Sequence, residues 1–458
     1  MPASARLGHL PWSRFHTVLV LLFGLGWAMD AFEVTLIGTV LGALRAEFGL
    51  GADAMSLLLG AWFAGLMLGA VGFGVLADRH GRRRVFLASL VLYGLSTMAA
   101  AVAPGLWALL ALRFLAGIGV GAEYSAINAA IAELVPSAAR GRASAIVLNF
   151  WPVGSLVASL LAWLVLSALP PGLGWRVVFG FGGLIALSAA WLRRHLPESP
   201  RWLEANGQTE AASTLVAWIE AGLTRLPPVA PAPIRPRARR QAWAFATLAR
   251  RYPGRLALGM LLDFAEASGY YGLFAFLPLV VLPALHLAPA RLPLFYLAGS
   301  LGALAGGLAA ALLLDRWGRH RTVGMFYLAT ALGTLGFATA TGLGAGAIML
   351  GFALVNLLAT GSWIAAYPTF SELFPTSLRA SGVGASVAFG RLGAIASPFL
   401  VGWAGEHSMA LALGLLAGFW ALGAATIAVW HRIGGIEARG MALETIAPEL
   451  AVPEIAGA

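Results

Sequence analysis

The chain has 458 residues, 59% hydrophobic and only 11% charged, and its mean hydropathy is +0.82. A water-soluble domain carries about a quarter charged residues, so this composition excludes a soluble globular enzyme and points to a chain solvated by lipid. The formal charge is +10, all 30 basic residues are arginine and cysteine is absent, which excludes disulfides and thiolate metal sites.

The opening "MPASARLGHLPWSRFH" has no short apolar core followed by a small-residue cleavage site, so no cleaved signal peptide is expected. A membrane-spanning helix needs about 20 mainly apolar residues. Twelve such segments follow in chain order: 17–43, 55–77, 85–104, 106–132, 143–168, 176–194, 255–283, 292–314, 322–341, 344–371, 378–403 and 409–431. Glycines such as Gly117, Gly119 and Gly121 in "RFLAGIGVGAEYSA" are placed for close approach of a neighbouring helix. The expected fold is therefore an all-α membrane protein of twelve transmembrane helices. It divides into a first six-helix bundle (1–194), a central loop (195–254), a second bundle (255–431) and a tail (432–458).

Arginines cluster in alternate connections, after spans 2, 4 and 8 and throughout 195–254, where eight occur. By the positive-inside rule both termini and the central loop are expected in the cytoplasm, and this clustering is an orientation signal rather than a nucleic-acid surface. The stretch "RLPPVAPAPIRPRARR" within the loop reads as a linker. The arginine-only, Ala- and Gly-rich usage suggests a GC-rich bacterial genome, hence the inner membrane as location.

The chain also repeats itself. "GVLADRHGRRRVF" (74–86) returns as "LLLDRWGRHRTVG" (312–324), with Asp78 and Asp315 237 residues apart. "AELVPSAARGRASA" returns as "SELFPTSLRASGVGA", with Glu133 and Glu372, Pro136 and Pro375, and Arg140 and Arg379 each 239 apart. The register continues through Phe150 with Phe389 and Gly154 with Gly393. The two bundles are thus pseudo-symmetric duplicates, and such halves with a site between them near the bilayer midplane form a transporter architecture.

At these residues the chain resembles the major facilitator superfamily, over essentially all twelve spans. Gly74, Asp78, Arg79, Gly81, Arg82 and Arg83 resemble its signature loop between helices 2 and 3, and Arg113 with Gly117 resembles its second motif. "PESPRWL" (197–203), with Glu198 and Arg201, is similar to a motif of sugar porters and organic ion transporters. "MDAFEVTLIG", "GAEYSA", "FWPVG" and "GYYGLFAFLP" resemble niacin permeases and synaptic-vesicle-related transporters. Residues 372–399 resemble the same branch and the organic anion transporters. The resemblance implies gradient-coupled movement of small organic ions, often carboxylates. Two departures stand out: Asn149 replaces an acidic residue of the niacin-permease pattern, and span 7 lacks the glutamines and asparagine of a sugar porter.

Independently of family, seven ionisable residues lie well within spans: Asp30, Glu33, Arg113, Glu123, Asp263, Glu266 and Arg391. Each costs roughly 2.5–3.5 kcal/mol at a helix centre, so together, unpaired, they would cost on the order of 20 kcal/mol. They must face one another, water or a ligand. Asp30 and Glu33, like Asp263 and Glu266, are three apart and share a helix face. Five acids against two arginines leave three surplus negative charges, and closely spaced carboxylates in apolar surroundings hold protons. Asp30, Glu33, Glu123, Asp263 and Glu266 are therefore the proton-carrier candidates. Arg391 offers a planar fork for a carboxylate, and its setting in "FGRLGAIASP" resembles the substrate arginine of organic anion transporters. Asn149, Trp151, Tyr270, Tyr271, Trp363 and Phe389 are the polar and aromatic candidates for the pore lining.

Asp78, Asp315, Arg79, Arg82, Arg83, Arg140, Arg201, Arg316, Arg319 and Arg379 lie at the span ends facing the loops, with Gly318 in the second copy of the motif. There, arginines pairing with Glu133, Glu198 or Glu372 in one conformation only would form a gate. The leading reading is a proton-coupled symporter of a small aromatic or heterocyclic carboxylate, acting as a monomer by alternating access. An organic-cation or drug transporter and a sugar porter remain as alternatives. A receptor lacks an output domain, and no metal, phosphate-binding or nucleophile pattern points to an enzyme or cofactor.

Overall fold

Lipid offers no hydrogen bonds to the backbone, so apolar segments of this length close their own as helices. The structure, a computed structural model, describes residues 12–80, 82–135, 143, 146–193, 198, 200–205, 207–221, 240–286, 288–340 and 343–437.

The first half contains α1 (Arg14–Phe48), α2 (Ala52–His80), α3 (Arg82–Ala100), α4 (Leu106–Leu134), α5 (Phe150–Ala168) and α6 (Pro171–Arg193). Then come three shorter helices, α7 (Pro200–Ala205), α8 (Thr209–Glu220) and α9 (Arg240–Arg251). The second half contains α10 (Pro253–Phe276), α11 (Leu292–Trp317), α12 (Arg319–Ala340), α13 (Ala345–Ser371), α14 (Thr376–His407) and α15 (Met409–Arg432). Among the described residues nine helices are long and apolar enough to cross a membrane. Shorter apolar stretches in α3, α4 and α6 (Leu87–Ala100, Leu106–Gly121, Gly172–Ser188) supply the rest of the expected twelve.

Several helices outrun the apolar segment that announces them, because polar first and last turns continue the same hydrogen-bond ladder beyond the hydrocarbon. α1 reaches Gly49, whose φ of 63° permits the left-handed cap that ends it. α10 goes on through a π turn at Leu277–Val281 and a last turn at Leu282–Ala284. Pro278, without an N–H, sits at the start of that wider turn. The central loop holds more structure than a linker. Leu203 of α7 and Leu215, Trp218 and Ile219 of α8 form a small core that receives Phe15, and Phe15 meets the Trp218 ring edge-on at 5.5 Å. The Pro- and Arg-rich stretch itself, apart from Arg240, lies outside the described residues.

The sequence repeat reappears as a repeat of helix packing. A Cβ on Gly65 or Gly69 of α2 would run into the carbonyls of Phe114 or Ile118 on α4. Gly302 and Gly306 of α11, each 237 residues later, meet the carbonyls of Ala353 and Leu357 on α13 in the same way. Gly117 and Gly121 of α4 return the contact to Trp62 and Leu66. Gly154 of α5 rests on Ala28 of α1, and Gly393 of α14 on Ser268 and Phe264 of α10. These close approaches are how membrane helices gain dispersion contact where no hydrophobic effect drives them together.

Outward faces stay apolar and exposed: Leu160 and Leu164, Leu308 and Leu312, Leu332 and Leu335, Leu350 and Leu354. Such a belt suits lipid rather than water. The halves meet near the start of α2 and the last turns of α14, where Ser56 Oγ donates to the Pro398 carbonyl (3.1 Å). Nearby, Gly38 leaves room for the rings of Phe274 and Tyr296, and the Tyr296 hydroxyl donates to the Phe274 carbonyl (2.7 Å).

Candidate functional site

Between the halves, among the described residues, a cavity is lined by Trp151 of α5, Asp263, Glu266, Tyr270 and Tyr271 of α10, Trp363 of α13 and Arg391 of α14. All seven were singled out in the sequence, and three helices of the second half and one of the first bring them together. On α10 the spacing 263, 266, 270 is a single helical stripe. That stripe faces α14 because Gly390 and Gly393 clear its path; a Cβ on Gly390 would collide with the Asp263 carboxylate.

The cavity walls are aromatic, and its charged side chains come from α10 and α14. Trp151 Nε1 donates to the Tyr270 hydroxyl (3.1 Å) across the interface between the halves. Trp151 meets Trp363 edge-on at 5.7 Å. Tyr271 lies against Phe63 of α2 with ring centroids 4.3 Å apart. The Arg391 guanidinium lies 5.8 Å from the Tyr271 ring centroid and interacts electrostatically with both Asp263 and Glu266. Asp263, Glu266 and Arg391 are all buried. A buried guanidinium beside aromatic faces can grip a planar carboxylate, and indoles can hold the ring that carries it.

Trp27 was missed in the sequence. It stacks on Trp363 (centroids 6.4 Å apart, 8° between planes) and lies 6.2 Å from Trp151. Its position three residues before Asp30, on the same face of α1, was the available signal.

The other sequence candidates fall elsewhere. Glu33 and Arg113 form an ion pair wholly enclosed in the first half, to which the Thr97 hydroxyl adds a hydrogen bond to Glu33 Oε1 (2.9 Å). Arg113 is further covered by the Phe179 ring at 5.4 Å. Arg113, whose setting resembles the superfamily's second motif, thus sits in the core of its own bundle. Asp30 is buried on α1 between Trp27 and Glu33. Asn149 lies half-buried at the start of α5 against Gly307 of α11, outside the cavity lining. Phe389 packs on Phe264 at 5.6 Å instead of entering the cavity.

Among the gate candidates, Arg319 binds Glu372 through two hydrogen bonds (3.1 and 3.0 Å), and Arg316 is exposed at the end of α11. Gly318, with φ of 83°, makes the turn from α11 to α12. Here the sequence reading missed Glu437. Its carboxylate accepts from the backbone N–H groups of Arg319 and His320 (both 2.9 Å), capping the free end of α12. Glu198 is half-buried beyond α6. Gly74, Asp78, Arg79, Arg82, Arg83, Glu123, Glu133, Arg201, Asp315 and Arg379 lie on helices, with side chains outside the described part. Gly81 and Arg140 lie outside the described residues altogether.

The pattern that defines the major facilitator superfamily matches residues 18–398. The niacin transporter NiaP of Acinetobacter baylyi is 33% identical over 404 residues, 88% of this chain and 90% of that protein. The 4-hydroxybenzoate transporter PcaK of Pseudomonas aeruginosa is 29% identical over 409 residues, 88% of each chain. In fold, a partially occluded inward-open structure of the E. coli xylose transporter XylE superposes with a TM-score of 0.73 at 19% identity, covering 94% of this chain and 100% of that one. Twelve apolar helices in duplicated halves, a cavity between those halves and a match along most of the chain agree: this protein is a multi-pass membrane transporter and belongs to the major facilitator superfamily.

Proposed function

We propose that the protein is a proton-coupled symporter of a small organic anion, an aromatic or heterocyclic carboxylate, working by alternating access as a monomer in a bacterial inner membrane. The observation that carries this reading is the convergence of Arg391 with Trp151, Trp363, Tyr270 and Tyr271 on one cavity. Similarity along most of the chain to transporters of niacin and of 4-hydroxybenzoate supports the same class. Arg391 takes the carboxylate and the indoles take the ring. The proton travels on the intramembrane acids Asp30, Glu33, Glu123, Asp263 and Glu266, with the 195–254 segment and both termini in the cytoplasm.

The test is uptake of radiolabelled nicotinate and 4-hydroxybenzoate into proteoliposomes. An inward proton gradient should drive accumulation with or without Na⁺, and Arg391→Ala should abolish it. Arg391→Lys, which keeps the charge and loses the fork, should weaken it. Uptake that needs Na⁺, or persists in Arg391→Ala, would overturn the reading. A second reading, organic-cation transport, is favoured by the two acids in the cavity, and predicts uptake of amines but not of carboxylates.

A further inference from the structure

The cavity holds more acid than a site for a simple anion requires. Arg391 can neutralise one carboxylate; with both Asp263 and Glu266 facing it, the other must hold a proton or meet a second cation. A bare carboxylate substrate would add another negative charge there, and like charges gathered away from water repel strongly. Asp263 Oδ2 is buried and accepts no hydrogen bond. It is held against the α14 backbone at Gly390, one residue before the guanidinium. Glu266 follows one turn along the same face of α10. The indoles of Trp151 and Trp363 line the same cavity, and Trp27 is in ring contact with both. Tryptophan faces are the best aromatic partners for a cation.

Resting on the anion reading, we propose that the site is dipolar and selects a zwitterion: a small planar ring with its carboxylate on Arg391 and a positively charged nitrogen on Asp263 and Glu266. Such a molecule brings no net charge into the cavity and satisfies the orphaned carboxylate oxygen. Both groups sit on one rigid ring, so the pairing also sets its orientation between the indoles. The assignment gives Asp263 and Glu266 a role toward the substrate in addition to their place on the proton route.

Four ligands of nearly one shape test this by calorimetry on the purified protein: benzoate, pyridine-3-carboxylate, N-methylpyridinium-3-carboxylate and N-methylpyridinium. The N-methylated nitrogen has no N–H and acts through its charge alone: cation–π contact is worth about 2- to 30-fold, and the attraction of the two carboxylates adds to it, so the N-methylated zwitterion should bind at least about tenfold tighter than benzoate. N-methylpyridinium, with nothing for Arg391, should bind more weakly than the zwitterion. Glu266→Gln and Asp263→Asn should remove the zwitterion's advantage while benzoate affinity holds or rises, which also shows that the variants are folded. Benzoate binding as tightly as the zwitterion to the unaltered protein overturns the inference and leaves the anion reading standing. So does an equal loss of both ligands in the two variants, the mark of acids that serve only as proton stores. N-methylpyridinium binding with no carboxylate bound overturns both readings.

Discussion

Two buried groups in the first half allow stability and the proposed proton coupling to be tested together. Glu33 and Arg113 are enclosed with each other and Thr97. Removing one member of a buried pair strands the other charge, at about 3–5 kcal/mol. Arg113→Ala should therefore lower the unfolding midpoint in detergent markedly, whereas Glu33→Gln with Arg113→Met should recover most of it. If Glu33 also carries the proton, the recovered double variant will bind substrate yet fail to accumulate it against a gradient; full accumulation would remove Glu33 from the coupling scheme. Trp27 makes a simpler case. It stacks on Trp363 and touches Trp151, and an aromatic pair contributes about 0.5–1.5 kcal/mol beyond its buried area. Trp27→Ala should weaken carboxylate binding roughly three- to tenfold, and Trp27→Phe should restore most of that loss. An unchanged affinity would place Trp27 outside the site.

Among the elements, helix approach depends on glycine where backbones touch, and this was readable in advance. The row Gly117, Gly119, Gly121 on α4 faces Trp62, Leu66 and the Ser89–Tyr93 turn as the small-residue pattern suggested. Gly69→Leu and its repeat partner Gly306→Leu should each separate a helix pair, abolishing a monodisperse peak on gel filtration. The cap on α12 was not readable, because Glu437 lies more than a hundred residues from the N–H groups it accepts. A carboxylate cap is worth about 0.5–2 kcal/mol, so Glu437→Gln should lower the unfolding midpoint modestly while Glu437→Asp stays close to the parent.

At the scale of the whole molecule, the proposed alternating-access cycle has the contact between α2 and α14 break once per turn. A Cβ on Gly402 would lie 3.1 Å from Ser56 Oγ, and disulfides join Cβ atoms about 3.8 Å apart. The chain contains no cysteine, so Ser56→Cys with Gly402→Cys can be examined without background. Oxidation should arrest uptake in proteoliposomes and reductant should restore it, while each single variant transports under both conditions. Full-rate uptake by the cross-linked protein would rule out movement at this contact.

Spans, duplication and most of the cavity residues were legible because lipid imposes one-dimensional rules: about 20 apolar residues per crossing, a stated cost for each buried charge, and glycine where helices touch. Asp263, Glu266 and Arg391 were found by the cost of a buried charge, and Tyr270, Tyr271, Trp151 and Trp363 as aromatic candidates for a pore lining; the seven share one cavity. What the rules could not distribute was partners. Arg113 and Arg391 are both intramembrane arginines near acids in sequence terms. Yet one is sealed with Glu33 inside a bundle while the other opens on the interface between bundles. Phe389, one repeat after Phe150, turns onto Phe264 instead of the cavity. That choice depends on how each helix is rotated about its axis, which is set by packing against neighbours hundreds of residues away. The same packing, with Gly390 admitting a carboxylate beside Arg391, places two acids and one guanidinium around a single site.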